Sequence, residues 1–140
     1  MNPDFTKMTK KALGDHIKDV LNRDDAIGTV ANIRALIRIW TLQTAAEQVD
    51  EATSVYNGVG FTGVDGQILT SIANRFIQYG RMSDKQYSIV KKKMNKYWKQ
   101  LMKITLGELQ VEDIEKYLPK SQPQYWVYVK KGKYAGYIKS

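Results

Sequence analysis

From Ser83 to Ile104 the apolar residues Tyr87, Val90, Met94, Tyr97, Trp98, Leu101 and Ile104 recur every three or four positions. That spacing predicts an α-helix with one side turned to a core. Lys85, Lys92, Lys96, Lys99 and Lys103 follow their own spacing of seven, four, three and four, which lines them along the opposite, solvent-facing side. Ser83 and Gln86 form an S-x-x-Q capping box at its start, and Asp84 in the first turn complements the helix dipole. The apolar side needs a surface to bury against, and what meets the lysine side is the functional question.

The same periodicity marks further helices. Thr9 to Asn22 carries Leu13, Ile17, Val20 and Leu21 on one face, and the polar run from Asn22 to Asp25 ends it, with Asp24 or Asp25 an N-cap for the next helix. From Ala26 to Gln43 the positions Ile27, Val30, Ile33, Leu36, Ile37 and Trp40 trace a helix. Ile39 and Leu42 widen its face enough to make it a candidate for the centre of the fold. Arg34 and Arg38 share its polar side. Thr44 to Ser54 continues in helical pattern, either as the same helix or as a bent continuation. Val64 to Gln78 is strongly periodic, and Gly80 closes it.

Between these helices Gly58 to Gly63 spell G-x-G-x-x-G. As a dinucleotide fingerprint this requires a buried strand leading in and a βαβ unit around it. The residues before it are polar and helical, so a structural turn is expected. Asn57 and Gly58 would end a helix, Phe61 would plug the core, and Thr62 with Asp65 would cap the next helix. Glu108 to Tyr117 is expected to form a short acidic helix stopped by Pro119, followed by a linker from Leu118 to Pro123. Tyr125 to Ile138 is rich in aromatic and β-branched residues around Lys131 and Gly132, which signals a β-hairpin. A three-residue turn with Gly132 left-handed would pair Val129 with Lys133 and Tyr128 with Tyr134. The hairpin aromatics suit either a core or a stacking surface for bases. The expected fold is mainly α: a helical bundle of about five helices with a C-terminal β-hairpin. Residues 1–118 would be the helical domain, and 119–140 a linker plus hairpin packed on it.

Of the net charge of +8, residues 81–103 carry eight Lys or Arg against one Asp, and residues 120–140 carry five against none. The first eighty residues are nearly balanced. Such segregation attracts polyanions through counterion release. The chain has no cysteine, which excludes disulfides, thiolate metal sites and cysteine nucleophiles. It has one histidine, His16, without a partner at a catalytic spacing, and neither a P-loop nor H-E-x-x-H nor G-x-S-x-G. No enzyme activity and no cofactor or metal is therefore expected, the minor alternative being a metal-dependent nuclease built from carboxylates such as Asp15, Asp19, Asp24, Asp25 and the Glu108 to Glu115 group. A long apolar run is also absent, so no membrane partner is expected and the cytoplasm is the expected location.

Several blocks resemble a segment found in phage and bacterial open reading frames: LQTAAEQ (Leu42 to Gln48), NGVGFTGVD (Asn57 to Asp65), the Ile72-Ala73 region, SDKQ (Ser83 to Gln86) and KYWKQL (Lys96 to Leu101). Their order is similar to N-G-V-G-F-x-x-x-D, then L-[ST]-x-[KR]-Q, then K-Y-x-x-Q-L. That pattern occurs in small phage proteins and as an accessory segment of helicase-like or primase-like proteins. This chain departs from it at Met82, where leucine is usual, and at Trp98, where a small residue is usual. The resemblance covers under half of the chain. It implies a viral or mobile-element source and a setting in DNA metabolism or host takeover, and it supplies no catalytic residue.

Together these features lead to the expectation of a non-enzymatic nucleic-acid-binding accessory protein. Arg81, Lys85, Lys92, Lys96, Lys99 and Lys103 would contact phosphates, joined by Lys130, Lys131 and Lys133 at the hairpin turn. Lysines lack the bidentate geometry that reads guanine, so recognition would tolerate sequence. The alternative partner is a host or phage protein with an acidic groove that takes the same basic helix.

Overall fold

The computed structural model describes residues 9–49, 60–61, 65–109, 111–131 and 134–137, with the backbone alone for 44–49, 130–131 and 134–137. The elements are α1 (Lys10–Leu21), α2 (Ala26–Val49), α3 (Asp65–Tyr79), β1 (Met82–Ser83), α4 (Asp84–Met94), α5 (Trp98–Thr105), β2 (Val127–Lys131) and β3 (Tyr134–Tyr137). Single 3-10 turns occupy Asn95–Tyr97, Ile114–Tyr117 and Pro123–Tyr125. This is the mainly helical fold with a terminal hairpin that the sequence predicts.

Local chemistry sets the helix boundaries. The Thr9 hydroxyl accepts the Ala12 N–H at 3.1 Å to start α1, and Asp25 Oδ1 accepts the Gly28 N–H at 3.1 Å to start α2. The Ser83–Gln86 box is complete in both directions, with the Ser83 N–H donating to Gln86 Oε1 at 2.9 Å and the Gln86 N–H to Ser83 Oγ at 3.2 Å. Gly80 closes α3 by donating its N–H to the Phe76 carbonyl at 2.7 Å.

α2 runs unbroken through Val49, which answers the question left open at Thr44. It occupies the middle of the molecule, packed on by α1, α3, α4 and α5. Ile33, Leu36, Ile37 and Ile39 are wholly buried, as are Leu13 of α1, Leu69, Ala73 and Phe76 of α3, and Val90 and Met94 of α4. Apart from Ala73, each such side chain contributes about 1.5–3 kcal/mol by leaving water. Asn32 on α2 is fully buried too. Its Nδ2 donates to the Leu21 and Gly28 carbonyls, each at 2.8 Å, and so ties the end of α1 to the start of α2.

The hairpin joins this same core. Trp126 and Val127 are buried, with the Trp126 ring edge-on to Phe76 at 5.8 Å. The short β1 pairs parallel to β2, Met82 with Val127 and Ser83 with Tyr128, so β2 is the central strand of three.

Three expectations are corrected. The helix from Ser83 to Ile104 is interrupted: its middle tightens into the 3-10 turn Asn95–Tyr97, and Tyr97 ends that turn at φ −96° and ψ 13°. The acidic stretch from Glu108 forms no α-helix. Gly107, at φ +79°, closes α5, with the Glu108 N–H on the Lys103 carbonyl at 2.8 Å and the Gly107 N–H on that of Ile104 at 3.1 Å. This Schellman arrangement turns the chain away, and only the turn Ile114–Tyr117 follows, capped by Asp113. The hairpin register also differs: Tyr128 pairs with Tyr137, Val129 with Gly136, Lys130 with Ala135 and Lys131 with Tyr134. The expected pairings of Val129 with Lys133 and Tyr128 with Tyr134 are absent. Burial of Trp126 and Val127 together with pairing to β1 fixes β2 from its other side, an influence no hairpin rule includes.

Candidate nucleic-acid interface

Three stretches distant in sequence, around Gln43, around Gly60, Phe61 and Asp65, and from Lys96 to Gln100, converge on one another. Gln100 of α5 is buried and clasps the backbone of Gly60 from both sides: its Oε1 accepts the Gly60 N–H at 2.9 Å and its Nε2 donates to the Gly60 carbonyl at 3.0 Å. Gly60 holds φ +88°, and a Cβ there would stand 2.9 Å from Cβ of Gln43, so the position excludes a side chain on two counts. Gln43 Oε1 accepts the Phe61 N–H at 3.1 Å, and its Nε2 donates to Thr70 Oγ1 at 2.8 Å. The Phe61 ring meets that of Tyr97 edge-on at 5.9 Å. Of the remaining turn residues, Gly58, Val59, Thr62 and Gly63 lie outside the described residues.

Asp65 is the hub of this clasp. It opens α3, is 1% exposed, and takes Lys93 Nζ at 2.9 Å, the Tyr97 hydroxyl at 3.1 Å and an ion pair with Lys96. Burial by itself would raise the carboxyl, but hydrogen bonds from Lys96, Lys93 and Tyr97 outweigh it and hold the group at about 2. The capping box expected between Thr62 and Asp65 falls on Thr62, outside the described residues; the Asp65 carboxylate itself is engaged by α4 and the turn after it. Lys96 is correspondingly raised, chiefly by its bond to Asp65.

The lysine side separates into two sets. Lys91 pairs with Asp24, and Lys93 and Lys96 pair with Asp65. Lys96 was expected among the phosphate contacts, and an internal carboxylate occupies it instead. Lys85, Lys92, Lys99 and Lys103 are exposed, and among the described residues no carboxylate lies within ion-pair distance of them. Lys99 lies over the Trp98 ring at 5.6 Å. Val90, Met94, Tyr97 and Leu101 stay buried at spacings of four, three and four, so the core side carries through the 3-10 turn and the four lysines keep to the outer side. Arg81 is exposed just before β1, with its guanidinium 5.3 Å from the Tyr128 ring centre. Lys130 and Lys131 fall on the backbone of β2, while Lys133 and the three lysine side chains of the hairpin lie outside what is described.

Carboxylates elsewhere among the described residues are paired too, mostly with near neighbours in sequence, and of these only Glu108 and Glu115 reach across to another segment. Asp15 pairs with Lys11 and Lys18, Asp25 with Arg23, Glu108 with Lys10, Glu112 with Lys116, and Glu115 with Arg34 at 2.8 Å. Arg38, expected to share the polar side with Arg34, is half-buried beside a cavity of about 390 Å³ between α1, α2 and α5, and burial lowers its pKa. Among the described residues no three His, Asp or Glu side chains gather as metal ligands would, and no helix is long and apolar enough to cross a membrane.

Sequence reasoning missed a further group. Arg75 and Tyr79 from the last turn of α3 stand with Arg81, Ser83, Gln86 and Tyr128 around a polar cavity of about 330 Å³. Their one sequence signal is the i, i+4 spacing of an arginine and a tyrosine on the exposed side of α3. Tyr128 arrives through the pairing of β1 with β2, which no local pattern announces. Comparison with protein-family models, curated proteins and solved structures returns no match to this chain.

Proposed function

We propose that this chain is a non-enzymatic nucleic-acid-binding accessory protein that meets phosphates through Lys85, Lys92, Lys99 and Lys103. The observation that carries the reading is the division of labour among the lysines. Internal carboxylates take Lys91, Lys93 and Lys96, whereas the four on the outer side of α4 and α5 are exposed and, among the described residues, have no such partner. A row of ammonium groups over an apolar core is a phosphate-tracking surface whose affinity comes from counterion release. Recognition is sequence-tolerant, because lysine is a point charge. The phage-like blocks support a viral or mobile-element setting, and in this reading they maintain the scaffold under the strip.

Binding of fluorescently labelled DNA and RNA oligomers over a salt series tests this. The wild-type Kd should weaken steeply with salt. Changing all four lysines to glutamate should abolish binding, and each single neutralisation should lower the log–log slope by roughly 0.7–0.9. Absence of binding at low salt, or a quadruple variant that binds like wild type, overturns the proposal.

A further inference from the structure

We propose that the cavity at the head of the lysine strip seats one unstacked base of a single strand, with Tyr79 as its stacking platform. This deepens the nucleic-acid reading and rests on it. The cavity is lined by Arg75, Tyr79, Arg81, Ser83, Gln86 and Tyr128, with no carboxylate among them. Tyr79 is 60% exposed, an unusual position for a ring that the core could have used. The Arg75 guanidinium lies 5.9 Å from the Tyr79 ring centre, and the Arg81 guanidinium 5.3 Å from that of Tyr128. Two cation-stacked phenols facing one small cavity combine what a flanked base needs: π-faces for the base and guanidinium donors for the phosphates on either side. At about 330 Å³ the space is at the small end of ligand pockets and suits a single ring system.

Position supports the same ligand. Ser83 Oγ and Gln86 Oε1 are committed to the α4 capping box, which leaves the Gln86 Nε2 donor to meet an acceptor on a base edge. Lys85, exposed in the first turn of α4, stands one residue from Gln86 and begins the strip that Lys92 continues. In this proposal the strand's backbone, on leaving the cavity, continues toward the outer side of α4 where these lysines lie.

The test uses the full chain with two fluorescent probes of equal length, an oligothymidine and the corresponding abasic deoxyribose-phosphate oligomer. The wild type should prefer the base-bearing strand. Tyr79→Ala should weaken that strand by about 5-fold or more while leaving the abasic oligomer unchanged, and Tyr79→Phe should bind like wild type. Tyr79 is mostly exposed, so these variants are expected to fold, and unchanged abasic binding verifies it. Equal wild-type affinity for the two probes, or a Tyr79→Ala loss shared by both, overturns the base site and leaves phosphate binding standing. Failure of both probes to bind at low salt overturns the nucleic-acid reading itself.

Discussion

Replacing Asp65 by asparagine isolates the charge at the centre of the clasp. The carboxyl is 1% exposed, and its pKa falls from the ordinary 3.8 to about 2. At 1.36 kcal/mol per pKa unit, that depression amounts to about 2 kcal/mol of stability at neutral pH. The sign follows from the direction of the shift. A depressed carboxyl stabilises the fold above the ordinary value and loses that contribution as pH falls from about 4 to about 2. The substituted amide would keep an acceptor for one ammonium group and aim its NH2 at the other, but Lys93 and Lys96 are 31% and 52% exposed and either can turn to water, which caps the damage. The expected loss is about 2–4 kcal/mol at pH 7, or roughly 6–12 °C in Tm. Urea unfolding followed by tryptophan fluorescence measures it at pH 7 and again near pH 2. The gap between wild type and Asp65→Asn should close in acid. The exposed Asp25, held at about 2 mainly by its bond to Arg23, is present in both proteins and cancels from the difference. A loss below about 0.5 kcal/mol at pH 7, or a gap that persists unchanged in acid, refutes the charge-based account of the clasp.

Two further substitutions probe how the scaffold is held. Gly14→Ala would place a Cβ 2.6 Å from the Trp98 ring where α1 packs on α5; the overpacking outweighs the helix-propensity gain of about 1 kcal/mol, and the expected net loss of about 1–2 kcal/mol shows in thermal unfolding and in an altered near-ultraviolet tryptophan signal. Gln100→Leu fills the same space but strands the buried N–H and C=O of Gly60, so a loss of about 2–4 kcal/mol in urea unfolding is expected, together with faster hydrogen exchange of the Gly60 amide.

The Ser83–Gln86 box was legible in the sequence because donor and acceptor lie three residues apart and the geometry is that of one helical turn. The inward row Val90, Met94, Tyr97 and Leu101 was legible for the same reason: a 3.6-residue period puts those positions on one side whatever they meet. Lys85, Lys92, Lys99 and Lys103 were correctly set on the outer side. The fate of Lys96 was not, since Asp65 is thirty-one positions away and only the docking of α3 against α4 brings the two together. The tightened turn Asn95–Tyr97 leaves no mark in a hydrophobic pattern that tolerates spacings of three and four alike.

Sequence alone marked the segments of α1 to α5 as helical, with their greasy sides and the starts of α1 to α4, because hydrogen bonds and periodicity within a turn or two fix those features; it misread Glu108–Tyr117, where periodicity without a closing tertiary context gave only a 3-10 turn. Tertiary structure decided which lysines remain available, how the hairpin is registered and which exposed rings share a cavity with arginines. Each of those depends on groups meeting across tens of residues, where the outcome rests on burial and charge pairing that no local spacing encodes.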